Sequence, residues 1–237
     1  MPKNQFDRYA ISYSQNKQLQ RDIADKLTKM TNGRFNKILD VGCGDGAVYD
    51  AFEFDGSLFV GVDASEKMCA LHRTHEKAVT LQKNFDDSDF ASEITRKFGK
   101  FDLVISSSAL QWSDNLNKLV ENLSSLGDNF AFAVFTRGTF ASVREFLGVD
   151  SFLPTIDELK EALGKYDVDI LAVEQSKKKF DSPKDAMRFM KTTGVSGGGN
   201  KVSYKDAKRL YESGPSALEF EVVYAVGSFA KSDFSAS

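Results

Sequence analysis

The chain is poor in residues that could cross-link it or hold it in a membrane. Only two of its 237 residues are cysteine, Cys43 and Cys69, too few for a disulfide framework or a cysteine-based metal cluster. No apolar run approaches the ~20 residues that span a bilayer. Residues 1–5 also lack the apolar stretch of a signal peptide. We therefore expect a cytoplasmic protein with no membrane contact and no metal.

Internal repeats and domain linkers are missing as well. Hydrophobic residues make up 41% of the chain and charged residues 27%, which is typical of a protein that buries a sizeable core. We expect a single domain over residues 1–237. Within it, residues 1–30 are predicted to form an N-terminal cap helix, and residues from about 137 to 215 to contribute lid and substrate-binding elements between the late strands.

Apolar segments of strand length alternate with helical patterns up to residue 136. This alternation predicts an α/β fold with a Rossmann-like, doubly wound sheet that is mostly parallel. A long final segment predicts a C-terminal antiparallel strand, and helical lid elements precede it. The predicted strands are 37–41, 58–62, 79–85, 101–106, 129–136, 168–180 and 218–230. The predicted helices are 6–30, 47–54, 65–74, 90–97, 115–125, 140–147, 156–163, 182–190 and 203–212.

Two strand ends carry the pattern of a nucleotide-like ligand site. Residues 38–46 read Ile-Leu-Asp-Val-Gly-Cys-Gly-Asp-Gly, and Asp63 ends the next strand about twenty residues later. The carboxyl ends of neighbouring parallel strands lie side by side, so the turn and the acid should meet there. The glycines would let the backbone approach the ligand, and Asp63 would accept hydrogen bonds from ribose hydroxyls.

The glycine spacing fits two ligands. Gly42, Gly44 and Ala47 match the dinucleotide pattern GxGxxG/A, whereas Gly42, Gly44 and Gly46 match the GxGxG of S-adenosylmethionine (SAM) methyltransferases. The NAD-dependent oxidoreductase alternative therefore stays open on spacing alone.

Charge favours SAM. Asp40 precedes the first glycine by two residues, where an anion suits an ammonium and a sulfonium better than a pyrophosphate. Asp45 inside the turn would repel the phosphates of a dinucleotide. A helix with Tyr9 and Tyr13 also comes before the first strand, which is unusual for a nicotinamide enzyme.

The predicted topology places further residues around the cofactor. Met68 would pack on adenine, the pair Asn84 and Phe85 would bracket its edge, and Ser106 would lie near the methionine part. The remaining predicted contacts are Ala64 beside Asp63 and the backbone of Cys43.

With these residues in place, the chain resembles the malonyl-acyl-carrier-protein O-methyltransferases of biotin synthesis, which are class I SAM-dependent enzymes. The similar segments are residues 6–10 with Tyr13 and Gln20, 38–46, 106–112, 152–154 and 186–191 leading to Gly194. The resemblance implies a class I methyltransferase sheet and O-methylation of the free carboxylate of malonyl-acyl carrier protein, or of malonyl-CoA. The product would be the methyl ester that starts pimeloyl and biotin synthesis.

The resemblance also implies how the reaction is catalysed. Arg188 would grip the substrate carboxylate, Gln111 and Trp112 would form a wall of the acceptor pocket, and Tyr13 would close over SAM. The carboxylate is already ionised at neutral pH, so positioning and desolvation would suffice without a general base. We accordingly expect His72 and His75, on the helix after Asp63, to lie in solvent.

The charge is unevenly distributed. Residues 176–211 contain ten Lys or Arg and three Asp, a balance of +7 in a chain of net charge −3, so the rest sums to −10. This basic segment, from Lys177 to Arg209, is expected to receive acidic acyl carrier protein. The alternative is that this segment has no anionic partner. Its charges would then form solvated faces, and Lys177–Lys179 would protect an edge strand.

Three other functions are weighed against this one. The chain could methylate a free small carboxylic acid such as trans-aconitate, or bind SAM as a non-catalytic scaffold. Nucleic-acid methylation is disfavoured, because no Asn-Pro-Pro motif follows the fourth strand and the overall charge is acidic.

Overall fold

The computed structural model describes residues 18–72, 76–192 and 203–231. In these residues seven strands form one sheet in the order β3-β2-β1-β4-β5-β7-β6. The strands are β1 (Lys37–Val41), β2 (Leu58–Asp63), β3 (Ala78–Gln82), β4 (Phe101–Ser107), β5 (Gly127–Phe135), β6 (Tyr166–Lys179) and β7 (Ala217–Lys231). The pairs among β1 to β5 are parallel, whereas β7 is antiparallel to both of its neighbours. The predicted sheet and its antiparallel C-terminal strand are confirmed.

Helices cover both faces of this sheet. They are α1 (Gln18–Met30), α2 (Ala47–Ala51), α3 (Glu66–Leu71), α4 (Phe90–Phe98), α5 (Leu116–Ser124), α6 (Ala141–Leu147), α7 (Ile156–Leu163), α8 (Pro183–Thr192) and α9 (Tyr204–Ser213). One apolar core lies between the sheet and α4, α5 and α7, and the other lies beneath α1, α2, α6, α8 and α9. Strand β4 feeds both cores, because Val104 faces the first while Leu103 and Ile105 face the second. Burial on both faces explains why its sequence is almost continuously apolar.

Side-chain caps define where several helices begin. The Thr155 side chain accepts from the Glu158 amide, and the Glu158 carboxylate accepts from the Thr155 amide, which is a complete capping box for α7. The Ser182 Oγ accepts from the Asp185 amide at 3.2 Å ahead of Pro183. Serine followed by proline therefore starts α8 as the sequence indicates.

Most predicted boundaries agree with the structure to within two residues, but three element ends are wrong by three residues. Helix α2 ends at Ala51 rather than at residue 54, because Phe54 leaves the helical pattern and packs edge-on against Phe59 with ring centroids 5.7 Å apart. Strand β3 ends at Gln82 rather than at residue 85, so Asn84 and Phe85 lie in the loop beyond it. Helix α3 spans six residues rather than the predicted ten, and Ser65 caps its start through the Met68 amide.

The predicted N-terminal helix is confirmed only for residues 18–30. Its first part, with Tyr9 and Tyr13, lies outside the described residues. In the part of the chain that the structure describes, no helix has the length and apolar character that crossing a membrane requires.

Candidate active site

The glycine turn after β1 is held in a conformation that favours glycine. Gly42, Gly44 and Gly46 have φ values of +75°, +54° and +92°. The amides of Gly42 and Cys43 both donate to the Val62 carbonyl, at 2.8 and 3.0 Å. These bonds fasten the turn to the neighbouring strand β2, so its backbone is fixed before any ligand arrives.

The acid that ends β2 orients the same turn. One Asp63 oxygen, Oδ2, accepts from the Gly44 amide at 3.0 Å, and the other, Oδ1, accepts from the Ser65 amide at 2.8 Å. A single carboxylate thus links the glycine turn to the start of α3. Its oxygens still have lone pairs for hydroxyl groups of a ligand.

A cavity opens at the carboxyl ends of β1, β2 and β4. Six of the predicted cofactor residues line it, together with Trp112 and the turn after β4 (Gly42, Gly44, Asp63, Ala64, Met68, Phe85, Ser107, Ser108, Ala109, Trp112). A smaller pocket continues from Gly42 and Ser107 toward α1, where Gln20 and Cys43 line it. The two pockets share Gly42, Gly44 and Ser107, so one elongated ligand could occupy both.

Polar atoms without partners are concentrated beneath this cavity. Among the described residues, both Asp40 oxygens and the hydroxyls of Ser107 and Ser108 are buried with no hydrogen-bond partner. Asp40 is fully buried, and its burial, followed by the charge of Asp63, raises the pKa of its carboxyl well above the ordinary value. Buried polar groups are normally paired, so this cluster fits a ligand that brings an ammonium and hydroxyl donors.

Besides the buried Asp40, three predicted cofactor residues line neither of these two pockets. The Ser106 hydroxyl donates to the Val41 carbonyl at 2.6 Å and joins β4 to β1 instead. Asn84 accepts from the Asp86 amide at 3.2 Å through its side-chain oxygen. Gly46 lies at the start of α2, where an added Cβ would come within 3.2 Å of the His72 ring. Side chains alternate along a strand, so Ser106 and Ser107 point to opposite faces of β4. The sequence prediction chose Ser106 and missed Ser107, although both belong to the run of serines at 106–108.

The expectation that His72 lies in solvent is wrong. Its side chain is 4% exposed and packs beneath the glycine turn, with its ring centroid 5.9 Å from that of Tyr49. Helix α3 ends at Leu71, and His72 folds inward as its C-terminal cap. His75 lies outside the described residues.

The thiol of Cys43 packs against strand β2. An added Cβ on Gly61 would lie 2.9 Å from its Sγ, which places the sulfur against β2. Burial, followed by the charges of Asp40 and Asp63, raises the pKa of this thiol well above its ordinary value. It therefore stays protonated and unreactive at neutral pH.

Trp112 lines the cavity, and its neighbour Phe152 lines a second, polar pocket of about 300 Å³. The Trp112 ring stacks on Phe152 with centroids 5.1 Å apart and an interplanar angle of 18°. The far side of Phe152 faces the second pocket, which Gln111, Arg137 and several amide, hydroxyl and acidic side chains line (Ser113, Asp114, Asn115, Asn117, Ser151, Glu158, Glu161).

Gln111 connects the two pockets. Its Nε2 donates to the Ser108 carbonyl at 2.6 Å, which supports a residue held at a φ of +60°. Its Oε1 is buried and has no partner among the described residues. The side-chain amide of Gln111 therefore stabilises the strained turn beside the cofactor cavity with its nitrogen, and its oxygen offers an unused acceptor near the polar pocket.

Arg188 lies at neither pocket. Its side chain is 62% exposed on α8, and its Nη1 is 3.4 Å from the Asp185 carboxylate. The arginine that the structure brings to the polar pocket is Arg137, which follows β5 and pairs with Asp150 at 2.8 Å. Sequence reasoning missed Arg137, although its position after a predicted strand could have indicated it. Tyr13 lies outside the described residues.

Comparison with solved structures identifies the fold. The chain is similar to the Bacillus subtilis protein YcgJ, with a TM-score of 0.62 and 13% identity over 89% of this chain and 97% of that one. It is also similar to magnesium protoporphyrin IX methyltransferase from Synechocystis PCC 6803, solved with bound S-adenosylhomocysteine (TM-score 0.54, 14% identity, 92% and 93% covered). A family profile described as a methyltransferase domain matches residues 39–127. The fold and the site thus define a SAM-dependent methyltransferase.

Relatives in sequence identify the family. A malonyl-[acyl-carrier protein] O-methyltransferase of Ilyobacter polytropus is 30% identical over 84% of this chain and 78% of its own length. A relative of the same name from Chlorobium phaeovibrioides is 27% identical over 93% of both chains. A third, from Enterobacter lignolyticus, is 31% identical, but the chain spans only 55% of that protein. This chain belongs to the malonyl-[acyl-carrier protein] O-methyltransferase family.

Proposed function

We propose that this protein uses SAM to methylate the free carboxylate of malonyl-acyl carrier protein. The buried, unpartnered Asp40 carboxylate beneath a glycine turn carries the cofactor assignment, because it suits a cationic ligand and opposes a pyrophosphate. The names of the relatives support the substrate. Family membership also favours this reaction over the oxidoreductase alternative.

The residues present fit the cofactor along its length. Asp63 would hold the ribose hydroxyls, and Met68, Phe85 and Trp112 would enclose the adenine. Asp40 and the hydroxyls of Ser107 and Ser108 would satisfy the amino-acid end. When bound, SAM supplies an electrophilic methyl group on a sulfonium.

The protein then has to position a nucleophile that is already ionised. The Trp112–Phe152 stack offers an apolar surface beside the two pockets, and desolvation against it would raise the reactivity of a carboxylate brought there. Holding the carboxylate in line supplies the remaining advantage. Gln111 and Arg137 are placed to hold the amide-containing arm of the substrate in the polar pocket.

The basic segment lies at the same edge of the sheet as this site. Strand β7 is antiparallel to β5 and to β6, so β6 runs in the same direction as β5 and its lysine end points to the carboxyl edge. Val222 pairs with Phe135, the last residue of β5, whereas Lys177 pairs with Glu219 three residues further out. Lys177–Lys179 therefore lie roughly 10 to 17 Å beyond the end of β5.

Helices α8 and α9 extend this basic surface. They pack against each other, and their exposed cations include Lys184, Arg188, Lys205 and Lys208. We define the docking surface as Lys177–Lys179 with these four residues and Arg209. Lys201 lies outside the described residues. An acidic carrier protein would complement this surface in charge.

A substrate panel tests the proposed reaction. Purified protein with SAM is expected to add one CH₂ to malonyl-acyl carrier protein by mass spectrometry, and to leave free malonate and trans-aconitate unchanged. Alkaline hydrolysis should remove the added mass, because the product is an ester. Methylation of a free acid at the faster rate would assign the free-acid alternative, and no methylation of any acid despite SAM binding would assign the scaffold alternative.

Charge reversal tests the docking surface. We expect a triple variant with Lys179→Glu, Lys184→Glu and Lys205→Glu to raise the KM for malonyl-acyl carrier protein roughly tenfold. The KM for malonyl-CoA should stay within about twofold of its original value. Added salt should weaken carrier turnover more than CoA turnover. The matched control reverses Lys77, Lys97 and Lys165, which are exposed near the opposite edge of the sheet. Equal losses for both substrates, or equal effects in the control, would contradict this surface.

Arg188→Ala separates two roles for that arginine. Its exposed position on the docking surface leads us to expect a loss confined to carrier-bound substrate. A collapse of turnover with malonyl-CoA as well, with SAM binding intact, would instead assign it to gripping the carboxylate.

A further inference from the structure

Two loops that enclose one end of the cofactor cavity are joined by a hydrogen-bonded contact. They follow β3 and β4, which are separated in the sheet by β2 and β1. Three steps between neighbouring strands place these strands roughly 14 Å apart. The loops must therefore cross above the glycine turn to meet, and their contact closes that side of the cavity.

The contact is made by Asp86 and Ser113. The Ser113 hydroxyl donates to Asp86 Oδ1 at 2.7 Å, and the Asp114 amide lies 3.4 Å from Asp86 Oδ2. Asp86 is oriented from its own loop by the bond from its amide to Asn84. Ser113 is oriented likewise, because its Oγ accepts from the Asn115 amide at 3.2 Å. Both partners are thus set in place before they meet.

Each partner is the immediate neighbour of an aromatic wall of the cavity. Phe85 precedes Asp86 and is 8% exposed, and Trp112 precedes Ser113 and is 9% exposed. A bond between Asp86 and Ser113 therefore determines the separation of the two rings. Asp63, Ala64 and Met68 line the same cavity, whereas Gln20 and Cys43 line the smaller pocket.

We propose that Asp86 and Ser113 form a loop clasp that sets the width of the adenine end of the cavity and the residence time of the cofactor. Both are positioning residues for the cofactor, because they act through Phe85 and Trp112 and lie outside the lining of the cofactor cavity. Ser113 also lines the polar pocket, so Asp86 is the cleaner probe of the clasp. The inference rests on SAM as the cofactor of the proposed function but not on the identity of the methyl acceptor. Opening the clasp would widen the entrance, and closing it would hold adenine between the rings.

The test compares Ser113→Ala, Asp86→Ala and Asp86→Asn with the control Asp87→Ala. Asp87 is exposed in the same loop, so its replacement reports on general effects of the loop. We expect the two alanine variants at the clasp to raise the Kd of S-adenosylhomocysteine roughly five- to tenfold, mainly through faster dissociation. Asp86→Asn keeps an acceptor for the Ser113 hydroxyl and should recover most of the affinity. The control should bind like the unmodified protein.

Two further readouts separate positioning from a purely structural role. At saturating SAM, kcat of the two Asp86 variants should stay within about twofold, and the Tm of the ligand-free clasp variants should change little. Unchanged Kd in both alanine variants, or a Kd that rises only together with a fall in Tm and kcat, would overturn the proposal. Calorimetry and stopped-flow binding need no methyl acceptor, so failure of the proposed substrate would be seen separately.

Discussion

Asp40→Asn should stabilise the ligand-free protein and remove most of its affinity for SAM. The Asp40 carboxylate is fully buried, and no hydrogen-bond partner for it exists among the described residues. Replacing an unpaired buried carboxylate by a neutral amide should raise the free energy of unfolding at neutral pH by about 1–3 kcal/mol. The lost charge should weaken SAM binding roughly 100-fold, since charge-assisted contacts are the strong ones. Thermal unfolding and calorimetry measure the two effects.

The pH dependence of this variant follows from the raised pKa of Asp40. Folding favours the protonated form of the Asp40 carboxyl. Its contribution to the free energy of unfolding is therefore fully present below the unfolded-state pKa and is lost as pH rises to the raised folded-state pKa. The Tm advantage of Asp40→Asn should therefore be absent below the unfolded-state pKa, grow as pH rises toward the folded-state pKa, and level off above it. The affinity of the unmodified protein for SAM should fall as pH decreases, because acid protonates Asp40.

Asp55→Asn is the matched control, because Asp55 is an exposed acid far from the turn. It should change neither Tm nor affinity. An Asp40→Asn protein that unfolds at a lower temperature than the parent at neutral pH, or that binds SAM normally, would show that the carboxylate is not held for a cation.

Gly42→Ala should disrupt the site through a collision rather than through strain alone. An added Cβ would lie 2.1 Å from the Ala109 Cβ, and the residue has a φ of +75°. We expect a loss of about 3 kcal/mol or more in the free energy of unfolding, together with loss of SAM binding. Gly148→Ala measures the strain by itself, because its φ is +66° and nothing lies within 4 Å of the added atom. That variant should lose only about 1–2 kcal/mol.

Ala109→Gly in combination with Gly42→Ala isolates the collision. Without the Ala109 methyl, the nearest atom to the new Cβ is the Ala109 Cα at 3.6 Å, which is an ordinary contact. The double variant should recover the free energy of unfolding that Gly42→Ala loses, except for the backbone strain measured at Gly148. A double-mutant cycle in denaturant measures this coupling between the two positions. If Ala109→Gly restores neither stability nor SAM binding, the collision between residue 42 and Ala109 is not what disrupts the site.

Sequence reasoning succeeded where a local pattern has one physical meaning. The strand over residues 37–41 and the helix over residues 156–163 agree with β1 and α7 to the residue. The glycine turn and Asp63 meet as predicted, because parallel strands bring their carboxyl ends together. It failed where a side chain could point either way, as at Ser106, whose hydroxyl joins two strands and leaves the cavity to Ser107 and Ser108.

By itself, the sequence determined the doubly wound sheet, the ligand turn and an acid on each side of it, because strand length, glycine spacing and residue type are local properties. Only the tertiary structure decided that Asp40 is buried without a partner among the described residues, that Arg137 lines the polar pocket, and that Asp86 meets Ser113. These depend on contacts between segments far apart in the chain. Their geometry is set by how strands are ordered in the sheet and by which face each side chain takes, and neither is written in the local pattern.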